Sequence, residues 1–166
     1  MKKSNVILIG MPGVGKSTVG VVLAKLLGYH FIDTDLVIQE KEGRLLKEII
    51  ADEGNAGFLK IEEKVNAELE AEHCVIAPGG SVVYGENAMR HFKEIGTVVY
   101  LKASYEMINE RLSNLEGWGV VLKDGQTLKA LYDERCVLYE KYADVVIDEH
   151  GRSLADTAKA VEIAVR

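Results

Sequence analysis

Gly10-Met11-Pro12-Gly13-Val14-Gly15-Lys16-Ser17 has the spacing G-x-x-x-x-G-K-[ST], with Thr18 following it. Glycines so placed let successive backbone N–H groups curl around an anion, and a helix beginning near Lys16 would aim its positive dipole end at the same point. Lys16 then supplies an ammonium to β- and γ-phosphates, and Ser17 a hydroxyl for Mg²⁺, a hard cation that prefers oxygen ligands. A glycine-rich turn with no ligand needs neither Lys16 nor Ser17. The segment therefore reads as a nucleotide-binding loop formed by Gly10, Gly13, Val14, Gly15, Lys16, Ser17 and Thr18. Hydrolysis, signalling and phosphoryl transfer all use such a loop.

Three further groups bear on that choice. Phe31-Ile32-Asp33-Thr34-Asp35 puts two carboxylates two residues apart at the expected end of a strand, on one side of an extended backbone. Asp33 would hold Mg²⁺ through water and Asp35 would orient, or take the proton of, an attacking hydroxyl. The competing reading is an acidic pair that caps the next helix. Ala77-Pro78-Gly79-Gly80-Ser81 ends another strand, where adjacent glycines allow close backbone approach to a ligand or simply make a tight turn. Arg135 lies on an apolar helical stripe of Leu128, Leu131, Tyr132, Leu138, Tyr139 and Tyr142. A guanidinium there needs an anion, either a ligand or a structural carboxylate.

The elements that position these residues alternate. Asn5 to Gly10 is a short continuous apolar run, as in a strand buried on both faces. Val19, Val22, Leu23, Leu26 and Leu27 then form one helical stripe ending near Gly28. Strands follow at His30 to Asp33, Cys74 to Ala77, Thr97 to Leu101 and Val145 to Ile147. Helices are expected at Leu45 to Ile50, Phe58 to Leu69, and roughly 104–115, 127–142 and 153–165, the last opened by Ser153 and Asp156 at capping-box spacing. This alternation implies an α/β fold with a doubly wound parallel sheet. The glycine-rich stretch around Gly117, Gly119 and Gly125 has no clear period and reads as a lid or a surface loop.

Composition narrows the class. The chain has 166 residues, the size of one domain, and no apolar stretch of membrane-spanning length. Met1-Lys2-Lys3 before Val6 to Ile9 resembles the start of a secretory signal, but the run stops at Gly10, so a cytoplasmic location is expected. Cys74 and Cys136 are far apart in apolar segments and read as two reduced, buried thiols. His30, His73, His91 and His150 lack metal-ligand spacing. A net charge of −6 opposes nonspecific nucleic-acid binding. A small-molecule substrate is expected, with no nucleic-acid or membrane partner.

Taken together, G-M-P-G-V-G-K-S-T, F-I-D-T-D, the double glycine after C-V-I-A-P, and E-R-C-V-L-Y-E-K-Y-A-D resemble shikimate kinases in order and spacing over nearly the whole chain. The resemblance implies one P-loop kinase domain over 1–166. Its parallel sheet would have five strands in the nucleoside-monophosphate-kinase arrangement, with a substrate-binding helical region about 34–60 and a mobile lid about 112–125. It implies ATP as the phosphoryl donor and shikimate as the acceptor; ATP and Mg²⁺ are the expected cofactors, and a monomer is expected. Asp35 would contact substrate hydroxyls, Gly79, Gly80 and Ser81 would line the site, Arg135 would grip a carboxylate, and Arg111 and Arg152 would lie against adenine.

The family pattern also places an arginine where this chain has Leu59, another in the lid where Trp118 to Leu122 is the nearest match, and T-G-G-G where Pro78 to Ser81 stands. Glu62 is left without its usual arginine, and Leu59 would offer substrate an apolar wall. Lys60 or Lys123 would have to compensate, Lys123 being the candidate lid cation and fourth catalytic residue beside Lys16, Asp33 and Asp35. The leading expectation is an ATP-dependent small-molecule phosphotransferase acting on shikimate. The alternatives are a kinase of another hydroxylated acceptor and a non-catalytic nucleotide-binding protein.

Overall fold

The computed structural model describes residues 3–113 and 125–166. Five parallel strands form one sheet in the order β2-β3-β1-β4-β5, with β1 at Asn5–Ile9, β2 at His30–Asp33, β3 at Cys74–Ala77, β4 at Gly96–Lys102 and β5 at Val145–Asp148. Every residue of β1 and β3 is buried, which is why both read as unbroken apolar runs. Register is continuous across the centre, with Ile7 beside Ile76 on one side and Val98 on the other. Asn5 is the polar exception in β1. Its amide donates to the Ala71 and Ile95 carbonyls at 2.8 and 3.0 Å and accepts from the Cys74 N–H at 2.9 Å, tying three chain segments at the lower end of the sheet.

Helix α1, Lys16–Leu27, buries Val19, Gly20, Leu23 and Ala24 and stops at Gly28, whose φ of 72° and N–H bond to the Ala24 carbonyl make a left-handed cap. It packs against α7, Leu154–Val165, which opens as expected, with Ser153 Oγ accepting from the Asp156 N–H at 3.1 Å. A second group of helices, including α4, Glu86–Ile95, and α6, Leu128–Tyr142, contacts β4. The sheet is therefore flanked by helices as its apolar strands require.

Several details differ from the sequence expectation. Thr34–Glu42 is a helix, α2, so Asp35 lies in a first helical turn and not on an extended strand. Asp33 is its N-cap, Oδ1 accepting from the Asp35 N–H at 2.9 Å, so the helix-capping reading holds for Asp33. The two separate helices expected between 45 and 69 form one run, α3, Leu46–Ala67, interrupted at Gly54, where φ 73° and ψ 174° break the helical path. A short 3-10 helix at Gly80–Tyr84 and α4 at Glu86–Ile95 fill a span for which no helix was expected. Ala88, Met89, Phe92 and Ile95 form the buried stripe of α4, a signal spread over only ten residues. Helices α5, Tyr105–Ser113, and α6, Leu128–Tyr142, bracket residues 114–124. Cys74 is buried, whereas Cys136 is only half-buried. Among the described residues, no helix is long and apolar enough to cross a membrane.

Apolar packing falls into two clusters. The main one surrounds the sheet, while Ile38, Ile49, Phe58 and Val65 form a smaller one between α2 and α3. Leu59 packs against the smaller cluster.

Candidate active site

Because all five strands are parallel, their carboxyl ends share one edge, and the segments leaving them converge there. Gly10 leaves β1, Asp33 closes β2, Pro78 to Ser81 leave β3, and Glu149 follows β5.

The loop after β1 is held in a conformation most residues avoid. Gly15, the N-cap of α1, has φ 94°, and a Cβ there would come within 2.8 Å of Leu154. Lys16 bends back over the loop, its Nζ donating to the Gly10 and Met11 carbonyls at 2.7 and 3.0 Å. Burial lowers its pKa to about 8, with Arg135 acting in the same direction and Asp35, Glu149 and Asp33 opposing. The ammonium is therefore still largely charged at neutral pH. Ser17 and Thr18 are exposed in the first turn of α1.

Across from Lys16 lies an acidic end. Burial raises Asp35 to about 6, Asp33 adds to this, and Lys16 counters it. Such a carboxyl is ionised at pH 7 yet basic enough to take a proton. Glu62, 2% exposed, accepts a 2.6 Å hydrogen bond from Ser81 Oγ through Oε1. Burial raises its pKa to about 7, with Asp35 adding to the rise and Ser81, Arg135 and Lys16 opposing it. Gly79 runs between the two acids: a Cβ on it would stand 3.0 Å from Glu62 Oε2 and 3.2 Å from Asp35 Oδ1. The neighbouring Gly80 is confined between the phosphate-type loop and α6. A Cβ there would meet Pro12 Cδ at 2.7 Å and Arg135 Nη1 at 3.0 Å. Arg135, 1% exposed, stacks over the Tyr84 ring at 5.4 Å, while Tyr139 on the same helix donates to the Gly80 carbonyl at 2.7 Å.

The structure thus brings Lys16, Asp33, Asp35, Gly79, Gly80, Ser81 and Arg135 to one edge. It adds Glu62, a charged residue on the buried stripe of α3; the reasoning that singled out Arg135 applies to it equally. Ser81 directs its hydroxyl to Glu62. Arg111 reaches the loop itself, Nη1 donating to the Gly13 carbonyl at 2.9 Å. Arg152 is exposed, and its Nη1 donates to the Asp148 carbonyl at 3.1 Å. Lys123 and Trp118, and most of the expected lid, lie outside the described residues. Glu149, 1% exposed and 3.7 Å from Arg111, was not anticipated. Its only sequence signal is a carboxylate placed immediately after a strand end.

An ammonium over a glycine loop, coupled to a basic carboxylate and with a buried guanidinium nearby, can hold phosphates and bring a hydroxyl up to them. The comparisons with known proteins agree with that chemistry. A family model described as shikimate kinase matches residues 12–164. A shikimate kinase of Thiobacillus denitrificans is 36% identical over 164 residues, covering 96% of this chain and 89% of the relative. One from Persephonella marina is 33% identical over 150 residues, covering 90% and 91%. Among solved structures, the shikimate kinase of Acinetobacter baumannii in complex with shikimate superposes with a TM-score of 0.84 at 32% identity, covering 95% of this chain and 90% of that one. On its glycine loop, its sheet and this extent of likeness, the chain belongs to the shikimate kinase family.

Proposed function

We propose that the protein transfers the γ-phosphoryl group of ATP to a ring hydroxyl of shikimate, giving shikimate 3-phosphate, with Mg²⁺ as the metal. The observation that carries this reading is the electrostatic coupling of Lys16 and Asp35 at one sheet edge, with Arg135, whose charge Lys16 also feels, buried against Gly80. The exposed hydroxyl of Ser17 and the carboxylate of Asp33 are the oxygen donors that Mg²⁺ prefers, so the metal fits these residues. When bound, it would neutralise charge on the phosphate oxygens.

Lys16 exchanges its two loop carbonyls for phosphate oxygens, and the N–H groups of Gly13, Gly15 and the first turn of α1 line the same cradle. Arg135 offers its charge to the acceptor's carboxylate, and Gly79 and Gly80 let the acceptor approach the backbone. Asp35 orients the hydroxyl and receives its proton as the oxygen bonds the γ-phosphorus and the bridging P–O bond to ADP breaks. Arg111 and Arg152 flank the adenine in this reading, and Lys123 is the lid cation. The enzyme acts as a single-domain, cytoplasmic monomer without nucleic-acid or membrane partners.

Leu59 favours a second reading. It packs on the apolar cluster between α2 and α3 and stands where the family pattern has an arginine, so in this reading it would offer the acceptor a hydrocarbon wall in place of a second cation. A hydroxylated acceptor lacking a carboxylate at that place would fit such a wall. Acceptor-dependent ADP release across shikimate, polyols, sugar acids and nucleoside monophosphates separates the two readings. Under the first, only shikimate stimulates turnover. Asp35→Asn then lowers kcat by about 10²- to 10⁴-fold, and Lys16→Ala weakens nucleotide binding by about 10- to 100-fold. Turnover surviving both substitutions removes the mechanism. ATP binding with no phosphorylated product from any acceptor would instead indicate a non-catalytic nucleotide-binding protein.

A further inference from the structure

Glu149 has no part in the chemistry assigned to Lys16 and Asp35, yet its placement is closely determined. Its N–H donates to the Lys102 carbonyl at 2.9 Å and its own carbonyl accepts from the Arg152 N–H at 3.0 Å, which fixes the backbone where it leaves β5. The side chain points inward. Oε1 lies 3.7 Å from Arg111 Nη1, and Oε2 is buried with no hydrogen-bond partner among the described residues. A carboxylate buried with one oxygen unmatched is unfavourable unless a neighbouring cation compensates it.

The compensating cation leads straight to the phosphate-type loop. The same Arg111 Nη1 donates to the Gly13 carbonyl at 2.9 Å. On the other side of that peptide unit, the Val14 N–H donates to the Met11 carbonyl at 3.2 Å. The Met11 carbonyl also accepts from Lys16 Nζ at 3.0 Å. The Gly13–Val14 peptide plane is thus held from both sides, by Arg111 at its oxygen and by Met11 at its nitrogen. A continuous series of contacts runs from Glu149 to the loop's ammonium. Helix α5 adds packing to this grip, since a Cβ on Gly13 would touch Leu112 at 3.2 Å.

We propose that Glu149 is a positioning residue of the nucleotide end: it holds Arg111 on the Gly13 carbonyl and so sets the orientation of the phosphate-binding loop. The inference rests on the reading of that loop as the nucleotide site. The charged groups facing Glu149 are Arg111 from α5, Lys16 from α1 and Asp148 from its own strand. Burial pushes its carboxyl up to about 7, Arg111 and Lys16 oppose the rise, and Asp148 adds to it. Both forms are therefore present near neutral pH, and the ionised form grips Arg111 more strongly.

The test is a double-substitution cycle read by calorimetric titration of MgADP at pH 8 and pH 6. At pH 8, Glu149→Gln is expected to weaken MgADP binding by about 3- to 10-fold, the size of coupling seen between contacting residues. At pH 6, where wild-type Glu149 is protonated and resembles an amide, the two proteins should agree within about twofold. In an Arg111→Met background, Glu149→Gln should have no further effect, and the acceptor KM should not change in either background. Equal affinity for wild type and Glu149→Gln at both pH values overturns the proposal, even if the variant melts at a lower temperature. So does a full effect persisting in Arg111→Met, or tighter binding by Glu149→Gln at pH 8, which would mean that the carboxylate only repels phosphate. Failure of the wild type itself to bind MgADP would instead remove the nucleotide-site reading on which the proposal stands.

Discussion

Glu62 gives the site a measurable signature in stability. The carboxyl is 2% exposed, Oε1 is bonded to Ser81, and Oε2 has no hydrogen-bond partner among the described residues. Its pKa is raised from 4.5 to about 7, chiefly by burial. As pH rises above 4.5, the unfolded chain releases this proton while the folded chain keeps it, so the equilibrium is drawn toward unfolding. The contribution is fully present below pH 4.5 and is gone above about 7. At about 1.4 kcal/mol per pH unit, the loss is on the order of 3 kcal/mol, a large part of a domain's net stability. Urea unfolding of wild type and Glu62→Gln at pH 5, 6, 7 and 8 isolates it, because Asp35 and Glu149 titrate in both proteins. The difference in unfolding free energy between variant and wild type should shift in the variant's favour from pH 5 to pH 7 and level off by pH 8. A difference that stays constant across that range would refute the argument that Glu62 is protonated by burial.

Two further substitutions test the packing around the site. Gly80→Ala places a methyl 2.7 Å from Pro12 Cδ and 3.0 Å from Arg135 Nη1. It should destabilise the fold by about 1–3 kcal/mol and raise the acceptor KM more than the nucleotide KM, as steady-state kinetics would show. Asn5→Ala removes three hydrogen bonds far from the site, taking these partners from the Cys74 N–H and the Ala71 carbonyl while the Ile95 carbonyl keeps the Ser4 N–H at 3.2 Å. The expected loss is about 3 kcal/mol in denaturant unfolding, with kcat unchanged well below the melting temperature.

What could be read from sequence follows the range of the interactions involved. The three central strands β3, β1 and β4 are legible because each is apolar enough to be buried by its own composition, the partly exposed edge strands β2 and β5 because each carries a short apolar pair between helical segments, and the nucleotide loop because its glycines, Lys16 and Ser17 are contiguous. Asp35 was read as extended because Asp33 ends a strand and caps a helix at once, and local sequence fits either role. The contact of Glu149 with Arg111 is not legible in the same way: Arg111 is 98 residues from Gly13, and only the assembled sheet brings Glu149 to them. Sequence singles out Glu62 only as the acid left without its usual arginine; its burial on α3 and its shared approach to Gly79 with Asp35 depend on how α2 and α3 pack. Arg135 needs an anion, and its charge acts on both Glu62 and Lys16.

The central claim is that Lys16 and Asp35 serve one phosphoryl transfer from ATP to shikimate. Phosphorus NMR of the wild-type protein with ATP, Mg²⁺ and shikimate tests it directly. A phosphomonoester resonance growing in step with ADP, without inorganic phosphate, is the expected spectrum. Inorganic phosphate appearing in place of the ester, or unchanged ATP, would contradict it.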